Sequence, residues 1–74
     1  MVVLVPAHAS KPQRISGVLL DVNDHGFRVR HQYDGFKPND LSNFLHRLGE
    51  GIARVIWSKN IGADFETGFS YFEE

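Results

Sequence analysis

Asp21-Val22-Asn23-Asp24-His25-Gly26 stands between two runs that read as strands, Arg14 to Val22 and Phe27 to Tyr33. Asn, Asp and Gly are the residues that tight connections favour, because short polar side chains bond the local backbone and glycine tolerates special dihedrals. The plain expectation is a four-residue connection, Asn23 to Gly26, with Gly26 at positive φ. In the strand before it, strict alternation places Ser16, Val18, Leu20 and Val22 on one face and Ile15, Gly17, Leu19 and Asp21 on the other. In the strand after it, Phe27, Val29, His31 and Tyr33 point one way and Arg28, Arg30 and Gln32 the other. Two strands joined by a tight turn make a hairpin, and the rest of the chain must complete its sheet.

Outward from that hairpin, Val2 to Val5 is apolar and β-branched, a short strand that Pro6 ends or places at an edge. Ala7 to Gln13, with His8, Ser10, Lys11 and Pro12, reads as a loop, and Asp34-Gly35 followed by Lys37-Pro38-Asn39-Asp40 as another. Leu41, Phe44, Leu45 and Leu48 fall at helical spacing, with Asn39 or Asp40 to cap the start and Gly49 to close the end. Spacing alone therefore favours a helix over Leu41 to Leu48. Gly51 to Ser58 is the strongest strand, with Ala53, Val55 and Trp57 on one face and Ile52, Arg54 and Ile56 on the other. Lys59 to Ala63 is turn-rich, and Phe65, Thr67, Phe69 and Tyr71 alternate after it to close a second hairpin. Gly68 inside that strand marks a bulge or a close backbone approach. Five or six short strands in 74 residues predict an all-β domain, a small antiparallel barrel or sandwich, as a single unit over residues 1–74.

Composition narrows the function. The chain has no cysteine, so neither a disulfide nor a thiolate zinc site reinforces its core. Its longest apolar runs, Met1 to Val5 and Val18 to Leu20, fall far short of the roughly 20 residues a spanning helix needs. Met1 to Ala9 lacks a basic signal-peptide start, so the expectation is a soluble, cytoplasmic protein with no membrane partner. Eight Lys and Arg stand against nine Asp and Glu, without the basic excess of a nucleic-acid binder. The charge is uneven, however: Arg14, Arg28 and Arg30 flank the central turn, while Glu66, Glu73 and Glu74 lie toward the C-terminus. A local anion site near the turn needs no overall basic charge.

No enzymatic constellation emerges. His8, His25, His31 and His46 show no metal-ligand spacing, and no metal or other cofactor is expected. The serines lack a nucleophile elbow. Gly49-Glu50-Gly51 precedes a strand, not a helix, so it reads as a hairpin turn and not as a phosphate loop. Small barrels can stack single-stranded bases on aromatics beside arginines, and Phe27, Tyr33, Trp57, Phe69 and Tyr71 supply rings. Aromatics at strand spacing are more often core, and nucleic acid is not the expected partner. At the turn, Asp21 and Asn23 present oxygens at the sheet's end. A carboxylate accepts from paired N–H donors such as the edge of a guanine, and an amide both donates and accepts. Arg14, Arg28 or Arg30 could clasp a phosphate or stack on a base.

Three stretches are similar to the PilZ domain, the bacterial cyclic di-GMP receptor module. Asp21-Val22-Asn23-Asp24-His25-Gly26 resembles the family's Asp-x-Ser-x-x-Gly turn, with Asn23 in the serine place. Gly26-Phe27-Arg28-Val29-Arg30-His31 resembles the strand that follows. Ala53-Arg54-Val55-Ile56-Trp57, then Glu66-Thr67-Gly68-Phe69, resembles the closing hairpin. The resemblance implies a six-stranded antiparallel β-barrel, an effector or adaptor and not an enzyme, and a strand over Leu41 to His46 against the helical spacing. It also implies cyclic di-GMP as ligand, with Asp21, Asn23 and Gly26 as the inherited part of the site. The family's Arg-x-x-x-Arg pair upstream of the turn has no counterpart: Arg14 is the only arginine before the turn, and it lies too close to Asp21 to match. Arg14 is the candidate phosphate partner in its stead. Two lost charge-assisted contacts, at about 1.5–3 kcal/mol each, predict binding weakened about a hundredfold to ten-thousandfold. The alternative expectation is a degenerate PilZ-like adaptor that holds a protein partner through an edge strand at Val2 to Val5 or through exposed aromatics near Trp57, without nucleotide.

Overall fold

A computed structural model describes residues 1–7, 11 and 13–72. Most of the loop expected over Ala7 to Gln13, including His8, Ser10 and Pro12, lies outside the described residues, as do Glu73 and Glu74. Six strands follow in order: β1 (Val2–Pro6), β2 (Ile15–Val22), β3 (Gly26–His31), β4 (Leu41–His46), β5 (Gly49–Ile61) and β6 (Asp64–Tyr71). They close into an antiparallel barrel in the order β1-β2-β3-β6-β5-β4. The all-β, six-stranded barrel implied by the resemblance is the fold.

Closure comes from β1, which pairs with β2 on one side and with β4 on the other. Val2 to Val5 is therefore no edge strand, and its backbone is not open to a partner chain. Pro6 ends β1 opposite Ser42. For a chain this small, a closed sheet removes the unpaired edges that would template aggregation.

Leu41 to His46 is a strand, and the helical spacing misleads for a clear reason. Ser42, Phe44 and His46 face the core, while Leu45 and Leu48, two of the residues that make the helical pattern, are 48% and 68% exposed. The polar side chains are accommodated because they are bonded. Ser42 donates its hydroxyl to the Asn43 carbonyl at 2.9 Å. The Nδ1 of His46 accepts the Leu48 N–H at 3.1 Å, which pins the turn at Arg47-Leu48. The β4–β5 turn is thus these two residues, and Gly49-Glu50-Gly51 already belongs to β5.

The interior is aromatic. Phe27 sits at its centre, with ring centroids 4.9 Å from Phe69, 5.0 Å from Phe44 and 5.6 Å from Tyr71. Aliphatic side chains of Val2, Leu4, Val29 and Val55 fill the remaining space with no exposure. Phe36, from the β3–β4 connection, plugs one end of the barrel against His31, Tyr33 and Phe69. Burying rings of this size supplies most of what a thin core can offer.

Two β-bulges break the alternation that the sequence suggests. On β2, Leu19 pairs with Val29 but Asp21 pairs with Arg28, so Leu20 is an extra residue. On β5, Val55 pairs with Phe69 but Trp57 pairs with Gly68, so Ile56 is extra. Each bulge shifts the phase of its strand by one residue. Asp21 consequently leaves the face of Ile15, Gly17 and Leu19 for the outer surface, and Trp57 leaves the face of Ala53 and Val55.

Candidate functional site

The two bulges bring four residues into one line across the outside of the barrel. Asp21 pairs with Arg28, Arg28 with Gly68, and Gly68 with Trp57, spanning β2, β3, β6 and β5. The line borders an open groove of about 500 Å³ whose lining includes Asp21, Asn23, Gly26, Arg28 and Trp57. That volume falls within the range of small-molecule sites.

Arg28 organises the line. It donates from Nε at 2.9 Å and from Nη2 at 2.7 Å to Oδ2 of Asp21, and from Nη1 at 3.2 Å to Oε2 of Glu66. Asp21 and Arg28 are about half exposed, whereas the Glu66 side chain is only 8% exposed. The guanidinium hydrogen bond holds the Asp21 carboxyl below the ordinary carboxylate value, against the opposing effect of desolvation, and Asp21 raises Arg28 in turn. Both groups are ionised at neutral pH. Both contacts from Arg28 fall on Oδ2, and Oδ1 of Asp21 has no hydrogen bond among the described residues.

Asn23 shapes the turn. Its Oδ1 accepts the N–H of His25 at 2.7 Å and of Gly26 at 3.1 Å, and its own N–H reaches the Gly26 carbonyl at 2.9 Å. This side-chain mimic of a backbone turn is what a serine hydroxyl would supply more weakly. Gly26 is not at positive φ. Its requirement is proximity: a Cβ there would lie 1.8 Å from the Phe69 carbonyl oxygen. Gly68 is likewise a close approach, and the bulge expected near it belongs to the opposite strand. A Cβ on Gly68 would lie 2.5 Å from both Nε1 and Cε2 of Trp57. The indole thus lies against a bare backbone, with the Lys59 ammonium 5.3 Å from its centroid.

Asp21, Asn23 and Gly26 are brought together, and Arg14 is not brought to them. Arg14 precedes β2, while Asp21 is near its far end. With Arg30, Arg14 lines a second open groove of about 520 Å³, shared with Gln13, Ser16, His31 and Tyr33. Trp57 is the groove residue that strict alternation hides. A glycine in one strand facing a tryptophan in the next was the available signal.

The histidines are structural where they are buried. Nδ1 of His31 accepts the Tyr33 N–H at 3.1 Å, so the proton sits on Nε2 and is donated to Oγ1 of Thr67 at 2.6 Å. Thr67 also bonds the Ser58 hydroxyl at 2.8 Å. His46 repeats the pattern, with Nε2 3.1 Å from the Tyr71 hydroxyl. Burial lowers both histidines, so both are neutral at pH 7. His25 is exposed in the turn. Among the described residues, no three His, Cys, Asp or Glu side chains gather as a metal site, and no helix is long and apolar enough to cross a membrane. No family model, curated protein or solved structure matches the chain.

Proposed function

We propose that this barrel is a PilZ-type module of bacterial cyclic di-GMP signalling, which takes the dinucleotide in the groove at Asp21 and acts as an effector or adaptor without catalysing a reaction. The observation that carries the reading is an ionised carboxylate turned outward by a bulge onto the rim of a ligand-sized groove, with one oxygen fixed by Arg28 and the other available. A guanine presents adjacent N–H donors on one edge and acceptors on another, which matches a carboxylate beside a guanidinium. Asn23 and Gly26 serve by holding the turn tight against β6, not by direct contact through Oδ1, which the backbone already occupies. Arg14 is too distant to share this groove, whose lining among the described residues holds one cation, Arg28, and Arg28 already pairs with Asp21 and Glu66. The affinity is accordingly low for a receptor of this kind.

Titration calorimetry with cyclic di-GMP tests the reading. Saturable heat is expected, and Asp21→Ala should weaken binding about tenfold or more, the value of one hydrogen bond to a charged group. Absence of heat at millimolar ligand overturns the reading.

A nucleotide-independent adaptor is the second reading, favoured by one observation. Leu45, Leu48 and Ile52 are all exposed, and Ile52, at 45%, pairs with Asn43, two residues from Leu45 on the outer face of β4 and β5. Such a patch suits a protein partner. Retention of partners that is indifferent to nucleotide and to Asp21→Ala supports it, and release of partners by nucleotide opposes it.

A further inference from the structure

The outer face formed by β1, β4 and the first half of β5 carries none of the residues placed at the groove. Register sets three rows across it: Val3–Leu45–Glu50, Val5–Asn43–Ile52 and Leu41–Arg54. Val3, Val5 and Leu41 are half-buried, and the other five are exposed. Along β5 the pattern is ordered about Ile52. Glu50 lies two residues before it and Arg54 two residues after, while Ala53 and Val55 between and beyond them are buried. Four residues out stand two more exposed apolar side chains, Leu48 in the turn and Ile56 at the bulge where the groove begins. The apolar positions are thus symmetric about Ile52 and the charges are opposite about it. Glu50 and Arg54 are about 14 Å apart along the strand, too far to pair with each other. Neither has an ion pair among the described residues, and their cross-strand neighbours are leucines, Leu45 beside Glu50 and Leu41 beside Arg54.

We infer that this face is the contact of a two-fold dimer, in which the Ile52 rows of two copies lie on each other and each Glu50 meets Arg54 of the second copy. The inference stands without the dinucleotide reading, and it names a second copy of this chain as the occupant of the patch at Leu45 and Ile52. The geometry follows from symmetry. A two-fold axis that lies between two facing sheets and runs across their strands sets β5 against β5 in reverse direction. Whatever lies two residues beyond the centre row then faces what lies two residues before it. Glu50 therefore faces Arg54 of the second copy twice over, and Leu45 faces Leu41. Ile52 and Val5 each meet their own counterpart. Asn43 also meets itself, which an amide tolerates because it both donates and accepts. No like charges oppose. A two-fold axis along the strands would instead set Glu50 over Val3 of the second copy and leave the acid against an apolar side chain. Aligned sheets cross at about 30°, so the centre row stays in contact and the ends splay. The face is small, about 300–400 Å² per copy by strand spacing, under half of the roughly 800 Å² that a stable interface buries on each side. The dimer is accordingly a weak one that forms at high concentration.

Opposite charges at symmetric positions allow a test by exchange. Sedimentation equilibrium is run on the intact chain without nucleotide, from about 10 μM to about 2 mM, a range that brackets weak association. The mass should climb from 8.4 kDa toward twice that value. Glu50→Arg sets arginine against Arg54 of the second copy at both symmetric places, and should weaken the dimer about tenfold or more. Arg54→Glu should do the same with two acids. The double exchange, Glu50→Arg with Arg54→Glu, restores both attractions and should return the dimer to near its parental strength. Both side chains are exposed, and unfolding midpoints confirm that each variant is folded. Rescue by the double exchange is the result that a merely structural role for either residue would not give. A parent that stays monomeric across the range overturns the inference and leaves both the groove and a different protein partner standing. A parent that dimerises while Glu50→Arg dimerises equally well places the contact elsewhere and overturns it too. Two single variants that are weakened with no recovery in the double exchange refute the two-fold pairing of Glu50 with Arg54.

Discussion

Gly68→Ala isolates the contact on which the groove's geometry turns. The new methyl would lie 2.5 Å from Nε1 and Cε2 of Trp57 and 2.9 Å from Cζ2, all far inside van der Waals contact. The neighbour is a partly exposed side chain and not backbone, so the indole yields by swinging outward. A tryptophan buries about 200 Å² when packed. Releasing roughly 60 Å² of that at 25 cal/mol/Å² costs about 1.5 kcal/mol. Replacing glycine by alanine at an acceptable backbone conformation returns about 0.4–1 kcal/mol through the unfolded chain. The net is a loss of about 0.5–1 kcal/mol, or a fall in Tm of a few degrees for a domain of this length. Emission tells more than stability here: Trp57 should shift to the red and become more accessible to acrylamide while far-ultraviolet dichroism stays unchanged. A variant with raised stability and unaltered emission would show that the indole does not lie on Gly68, and the four-residue line would lose its aromatic end.

Other perturbations probe the supports of the groove. Thr67→Val keeps the shape but removes the acceptor of the buried His31 Nε2–H and the partner of Ser58, and should lower stability in urea by about 1–3 kcal/mol; a change under half of that would refute the bonded network. Asn23→Ala strips two backbone N–H groups of their acceptor and should cost about 0.5–2 kcal/mol, whereas Asn23→Ser should recover most of the loss, by the same denaturation measurement. His31 and His46 both titrate below their ordinary value because of burial. The unfolded chain therefore takes up protons first as pH falls through about 6.5, so stability is complete above that pH and declines below it toward the folded-state values. Urea midpoints at pH 7.5 and pH 5.5 should differ in that direction, and equal midpoints would contradict the neutral, bonded state of these rings.

The hairpins were legible because the Asn-Asp-His-Gly turn and the alternating Phe65-to-Tyr71 run need no tertiary context; they left barrel and sandwich open, and the resemblance implied the barrel. What pattern could not supply was the phase. A bulge has no composition of its own, so alternation kept Asp21 on the face of Ile15, Gly17 and Leu19 and Trp57 on the face of Ala53 and Val55, and only the pairing of Asp21 with Arg28 and Trp57 with Gly68 moved them to the other face. β4 escaped for the opposite reason. Its buried side carries Ser42 and His46, which hydrogen bonding makes tolerable, while its exposed side carries Leu45, so hydrophobicity pointed the wrong way. Phe36 is core although it sits in a connection, where no periodicity exists to betray it. At the site, the acid and the glycine turn were visible from residue types alone. The distance of Arg14 was hidden in the length of β2, which carries that arginine to another groove.

Amide shift mapping during a cyclic di-GMP titration asks the main question most directly, because it reports place and affinity together. Binding at the bulge-built groove predicts that the amides of Asp21, Gly26, Arg28 and Gly68 and the indole N–H of Trp57 move along one saturation curve. Shifts confined to Ser16, Gly17 and Gln32 beside Arg14 and Arg30, or no shifts at millimolar ligand, would contradict it.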